Sequence, residues 1–582
     1  MAGAVAAAVP TVLVAQGRAS SDSIASARAC VNHVISGITV RPQFPFYVGL
    51  TGQYRRVARG LQGLHATTRE TVVRVFLQLH VGQKCTEIGR TETERVLRAQ
   101  PFIADAHVTA YDDGQGGVHI DVFTVDEISL LGTVAARNRS PFVYKVRAGE
   151  NNLDGLGLHV AAEWDYNQYY RDRFEGEIAD FVFLNRPWFF GLQGERDPLG
   201  GQWSASLSQR FLTDLQTFGW LVGGGSQNSY FGFLSPEAPN DLNLPSLEFA
   251  RSYAELGGVV RLGQPGRLGL FGAAVTRLQE AVAGVPVIVG QQGLMPVAPT
   301  DSLTLGTLSH RYGQHQETRL NALFGFRSIR FERVVGFDAL HGPQDLPVGF
   351  QIGSLFGRSM SQLSSKDNDI FVSASSYAGY ATRTWFAAIQ AQGEGRNDRS
   401  TNLWDGILAS GRAAIYWKPN DDATIILDEE YSLGTRSRIP LQLSFADPRG
   451  GVRGYLNSLL AGGERSVSRL EVHYALPSIG DLATIGLAPF FDAGQLWALD
   501  APFGVTTKPT FGAGIGLLVA FPPNSRHNYR LDIAFPLEPD SHTGHFELRF
   551  STTTATSSFW IEPYDLGRSR EPNVPATIFN YP

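Results

Sequence analysis

From about residue 140 to residue 552 the chain alternates apolar and polar residues with period two, and polar loops break the alternation. In GLGLHVAAEWDY one parity carries Leu156, Leu158, Val160, Ala162, Trp164 and Tyr166. The other carries Gly157, His159, Ala161, Glu163 and Asp165. RLEVHY sets Leu470, Val472 and Tyr474 against Arg469, Glu471 and His473. YRLDIAF and HFELRF repeat the rule, with Arg530 and Asp532, then Glu547 and Arg549, on the polar parity. Charged residues thus share strands with large aromatics near the strand ends. Aromatic girdles of that kind belong to membrane-spanning barrels, whereas a soluble sandwich packs its apolar face on a second sheet. The pattern predicts a mainly β fold with about 16 antiparallel transmembrane strands over 140–552. A soluble all-β repeat fits the same alternation and remains open on pattern alone. No run of about 18 apolar residues occurs, so no transmembrane helix is expected, and that excludes nothing about strands.

Ahead of this region the period changes. VISGITVR at 34–41 reads as a strand followed by Pro42. Thr67 and Thr68 are placed to cap a helix in TTRETVVRVFLQL. A second helix is expected from Thr91 to Gln100, with Thr91 and Glu94 as a capping box and Pro101 blocking its continuation. IADAHVTAYD and VHIDVFTVDE then form two strands joined through Gly114, Gly116 and Gly117. The expectation is one small α/β unit, β-α-α-β-β, over 30–132. An exposed strand edge on such a unit can pair with an extended chain. Cys30 and Cys85 either pair as a disulfide in an oxidising compartment or stay as two buried thiols. Residues 1–20 read as a truncated signal segment: Ala4 to Ala15 is apolar, but no basic residue precedes Arg18. Beyond Phe550 an extension over 553–582, with Trp560, folds into the lumen, meets a partner or stays unfolded.

Composition removes some functions. The formal charge of −6 argues against a general nucleic-acid binder. There is no HExxH, Walker loop, GxSxG or CxxC, so no metal, cofactor or enzymatic activity is expected. Gly512, Gly514 and Gly516 lie inside a strand rather than at a phosphate-binding turn. His159, His473 and His545 each fall on a polar strand face, and Glu429 and Glu430 have opposite parity.

Residues 448–455 read PRGGVRGY. Val452-Arg453-Gly454-Tyr455 resembles the VRGF/Y loop signature of the BamA/TamA-like outer-membrane assembly and translocation family. DDATIILDEEYSL precedes it; ERSVSRLEVHYALP, LAPFFDAGQLW, FGAGIGLLVAFP, HNYRLDIAFP and GHFELRF follow in the family's order. TETERVLRAQPFIADAHV and VFTVDE resemble a POTRA (polypeptide-transport-associated) domain, and one such unit is visible here. The resemblance implies an inward-folded loop whose Arg453 meets acidic residues on the next strands. Parity nominates Glu471 and Asp492, because an unpaired buried guanidinium is costly. Gly454 would allow close backbone approach and Tyr455 would pack on the wall. The implied role is insertion, assembly or translocation of unfolded client polypeptides at the bacterial outer membrane. The small unit would sit in the periplasm, with membrane lipids and accessory proteins as further partners. The alternative is a channel or structural barrel without insertase activity.

Overall fold

The computed structural model describes residues 26, 29–31, 33–45, 65–136, 142–167, 171–237, 244–290, 293–296, 308, 310–479, 482–523, 525–539, 543–554 and 559–571. The signal reading of 1–20 lies outside them. The chain divides into two compact units, Met1–Ile128 with Asp154–Leu156, and Ser129–Leu153 with Gly157–Pro582.

The first unit runs β1 (Val34–Gln43), α1 (Glu70–Val75), α2 (Glu87–Arg98), β2 (Ile103–Asp112) and β3 (Gly117–Asp126). β3 is the central strand, parallel to β1 and antiparallel to β2. Its period-two pattern buries Val118, Ile120 and Val122, and α2 packs on β2. Cys30 and Cys85 are joined as a disulfide, with their Cα atoms 5.0 Å apart. Both helices differ from the sequence expectation. Thr68 does not cap α1; its backbone N–H and its hydroxyl donate to the Asp126 carboxylate at 2.6 and 2.8 Å. Burial pushes that carboxyl above the ordinary range even so. α2 starts at Glu87 rather than Thr91, because Thr86 accepts from the Gly89 N–H at 3.1 Å and caps it one turn earlier. Glu94, assigned to a capping box, instead accepts from Arg90 and from the Val108 N–H.

The second unit is a closed antiparallel barrel. Its first strands are short: β4 (Leu130–Ala136), β5 (Val143–Glu150), β6 (Leu158–Asn167), β7 (Arg171–Asp180), β8 (Phe189–Asp197) and β9 (Gly200–Gln209). A taller wall follows: β10 (Phe218–Gly232), β11 (Leu244–Gln264), β12 (Arg267–Gly290), β14 (Gln314–Val335) and β15 (Pro343–Ser359). The short β13 (Gly293–Pro296) pairs with the end of β12. Next come β16 (Asp369–Ala381), β17 (Trp385–Asp398), β18 (Trp404–Trp417) and β19 (Ala423–Thr435). The last five are β22 (Glu464–Ala475), β23 (Thr484–Trp497), β24 (Thr510–Ala520), β25 (His527–Pro536) and β26 (Glu547–Thr554). Between β19 and β22 a long loop carries a minimal hairpin, β20 (Leu443–Ser444) and β21 (Ala461–Gly462). β26 meets β4 to close the ring.

Two expectations are corrected. The wall has twenty strands among the described residues, apart from β13, rather than about 16. It also begins at Leu130, ahead of residue 140. The physical reason is turn length. Only Pro198 and Leu199 separate β8 from β9, and only Pro265 and Gly266 separate β11 from β12. Such turns contain no polar loop to mark a boundary. Gly266, at φ +78°, makes the second of them accessible.

The barrel inverts the usual distribution of polarity. Leu256, Phe271, Phe324, Ile352, Ile389, Leu427, Ile515 and Phe535 face outward and are exposed. Arg251, Glu280, Arg319, Glu394, Arg396, Glu430 and Asp492 face inward and are buried. A continuous exposed apolar belt over a charged interior suits hydrocarbon outside and a polar lumen inside. No helix among the described residues is long and apolar enough to cross a membrane.

Candidate functional site

The loop between β19 and β22 turns back into the barrel, and its own side chains build the turn. Asp447 accepts from the backbone N–H groups of Arg449 and Gly450 at 2.8 and 3.0 Å. The Val452 N–H donates to the Phe445 carbonyl at 3.1 Å. Val452 is fully buried among Phe445, Tyr455, Val467 and Leu496. That apolar anchor fixes the next residue against the wall.

Arg453 extends to β22 and β23. Its Nε and Nη2 donate to the two oxygens of Asp492 at 2.8 and 2.6 Å, a bidentate pair. Its backbone N–H also reaches Asp492, at 3.1 Å. Nη1 donates to Glu471 at 2.6 Å. The guanidinium carbon lies 3.5 Å from the centre of the Phe490 ring, so one face of the cation is stacked. The structure therefore brings Arg453, Glu471 and Asp492 into one buried cluster.

The flanking residues have separate tasks. Gly454 has φ +100°, and a Cβ there would lie 2.8 Å from the Pro536 nitrogen. Its N–H donates to Glu547 on β26 at 2.8 Å. The Tyr455 hydroxyl donates to the Phe511 carbonyl at 3.0 Å. Across the gap, a Cβ on Gly512 would lie 2.2 Å from the Arg453 carbonyl oxygen, which accounts for a glycine on that inner wall.

Sequence reasoning missed three members. Arg530 on β25 donates to Glu471 at 2.5 and 2.9 Å and to Asp532 at 2.7 Å, so Glu471 bridges two arginines. Phe490 and Glu547 complete the set. All three lie on the lumen parity of their strands, so parity was the available signal. What parity could not tell was which lumen-facing residues stand at the height of the loop. Cys30 and Cys85 lie in the other unit and take no part in this site. No cluster of His, Cys, Asp and Glu able to hold a metal occurs among the described residues.

No family model matches this sequence, and no curated protein matches it. Solved structures are similar to it. BamA from Haemophilus ducreyi lacking POTRA domains 1-3 is 11% identical, with a TM-score of 0.38, covering 94% of this chain and 94% of that one. CdiB from Acinetobacter baumannii is 10% identical, TM-score 0.37, covering 90% of this chain and 74% of that one. CdiB from Escherichia coli is 12% identical, TM-score 0.34, covering 93% and 96%. The chain is similar to BamA and CdiB barrels.

Proposed function

We propose that this chain is a bacterial outer-membrane barrel of the BamA/TamA-like kind, acting on other polypeptides rather than catalysing a reaction. The observation that carries the reading is the Val452-Arg453-Gly454-Tyr455 loop, clamped inside a barrel whose outer face is apolar. The clamp ties the loop to β22, β23, β25 and β26, and so braces the wall beside the closing seam. The seam joins the two short strands β26 and β4, of 8 and 7 residues. These are the last and first strands of the ring, with no connecting turn between them, so this joint opens without parting a hairpin. An opened edge can pair with a client strand by β-augmentation. The amino-terminal unit, with β1 and β2 as its sheet edges, receives clients on the periplasmic side in a POTRA-like role. Lipids around the belt, unfolded client polypeptides and accessory proteins are the partners.

The test is reconstitution into lipid vesicles followed by addition of an unfolded barrel client. Acceleration of client folding, abolished by cross-linking β26 to β4, supports the reading. Stable insertion of the chain with no acceleration of any client overturns it in favour of a structural barrel or channel.

A further inference from the structure

The described part of the carboxyl-terminal extension, residues 559–571, lies inside the barrel. It touches inward-facing residues on strands from β10 round to β19. Arg568 stacks on Phe231, its guanidinium carbon 4.4 Å from the ring centre. Arg251 on β11 donates to the carbonyls of Arg568, Ser569 and Arg570. On the other side, Ser410 and Arg412 of β18 reach Glu562 and the Phe559 carbonyl, and the Trp560 indole donates to Glu430 of β19 at 3.2 Å. A segment with those partners spans the lumen. It includes one short helical turn, α3 (Tyr564–Gly567).

The end of this segment is held by a carboxylate receptor. Arg319 on β14 and Arg396 on β17 both pair with Glu571. Both guanidinium groups also stack on Phe371, at 4.3 and 5.0 Å from the ring centre. Both arginines are buried, and the Nε of each has no hydrogen-bond partner among the described residues. Glu317, also buried on β14, stands 3.3 Å from Arg319 and 3.9 Å from Arg396, and Glu571 brings a second anion to these two cations.

The segment and the clamp loop are also fitted to one another. Asp447, which caps the turn before Val452, accepts from the Asp565 N–H at 2.8 Å. Asp565 in turn accepts from the Ser444 N–H at 2.8 Å. A Cβ on Gly450 would lie 2.6 Å from Pro563, so that glycine makes room for the extension.

We propose that the lumen contains a receptor for an extended acidic peptide, that this chain's own residues 559–571 occupy it as a removable plug, and that release of the Glu562 and Glu571 anchors opens the lumen. The ligand class is a peptide carrying carboxylates beside aromatic residues, the chemistry of FWIEPYDLGRSRE itself. The inference rests on the membrane-barrel reading above but not on insertase activity. It predicts conductance and accessibility, whereas that reading predicts client folding.

The experiment uses the full chain in planar bilayers. Wild type is expected to conduct weakly. The double variant E562Q/E571Q, which leaves the wall untouched, is expected to conduct several-fold more. The synthetic peptide FWIEPYDLGRSRE should close that variant again, and the same peptide with Gln at both Glu positions should not. A second measurement does not depend on the variant's assembly. With Cys30 and Cys85 in a disulfide, an introduced S569C is the sole thiol among the described residues. Ser569 is buried, so S569C in the otherwise wild-type chain should react with a maleimide far more slowly than S361C on an exposed turn. Equal rates for S569C and S361C overturn the plug. So does an inserted, heat-modifiable E562Q/E571Q barrel with wild-type conductance.

Discussion

Two of the arginine–carboxylate networks inside this barrel are built with opposite polarity. In the loop clamp the cation is on the inserted loop and the anions are on the wall: Arg453 meets Glu471 and Asp492. In the carboxyl-terminal segment the anion is on the inserted segment and the cations are on the wall: Glu571 meets Arg319 and Arg396. In both, one inserted charge joins two buried wall charges of the opposite sign, which keep Arg530 and Glu317 respectively as a further counter-charge. The difference lies in support. The clamp adds a bidentate geometry, a backbone donor to Asp492 and a second cation, Arg530. The segment's end is tied by the Glu571 N–H and by Arg570, both reaching Glu394, but it lacks the bidentate pair, and Arg319 and Arg396 keep N–H groups that no described atom accepts. A well-supported network fits a permanent brace, and a less supported one fits a part that moves.

Five substitutions probe this contrast and its setting, beginning with the largest effect. Arg453→Ala leaves Glu471 and Asp492 buried without that partner, at a cost of about 3–5 kcal/mol. Heat-modifiable, protease-resistant barrel in the membrane fraction should fall sharply; wild-type amounts would remove the clamp from the account. Arg453→Lys should recover only part of the loss, because an ammonium cannot make the bidentate pair with Asp492. Cys30→Ser removes a cross-link spanning 55 residues and should cost about 2–4 kcal/mol in the amino-terminal unit alone. Unchanged barrel heat-modifiability with a lowered melting transition of that unit is the expected result. Gly454→Ala forces a left-handed backbone and a close contact with Pro536, at about 1–3 kcal/mol. Limited proteolysis of the loop would report it. Glu571→Gln should have the smallest effect on the fold, about 1–2 kcal/mol and confined to the segment's end. Protease cleavage after Arg570 should speed up while the barrel stays intact. Loss of the barrel in this variant would mean that the segment is a brace too, and the contrast would fail.

The clamp was legible in the sequence because Val452-Arg453-Gly454-Tyr455 resembles a loop signature that implies an inward fold, and the strands next in the chain obey one period. Arg453, Glu471 and Asp492 lie within forty residues, and parity alone sends Glu471 and Asp492 to the lumen. Arg530 has the same parity but lies 59 residues from Glu471, so it read as one charged strand residue among many. Glu571 was less legible still, since its partner Arg396 is 175 residues away.

By itself, then, the sequence determined which face of each strand meets hydrocarbon and which meets the lumen, because the side-chain period of a strand is two and needs no knowledge of its neighbours. Parity also nominated the clamp's carboxylates, once the resemblance implied that the loop carrying Arg453 folds inward. Tertiary structure alone decided how many strands close the ring, where the seam falls and which charges face each other across the lumen. Those depend on turns too short to mark themselves and on the closure of twenty strands, which brings β14 and β17 to a segment that follows β26.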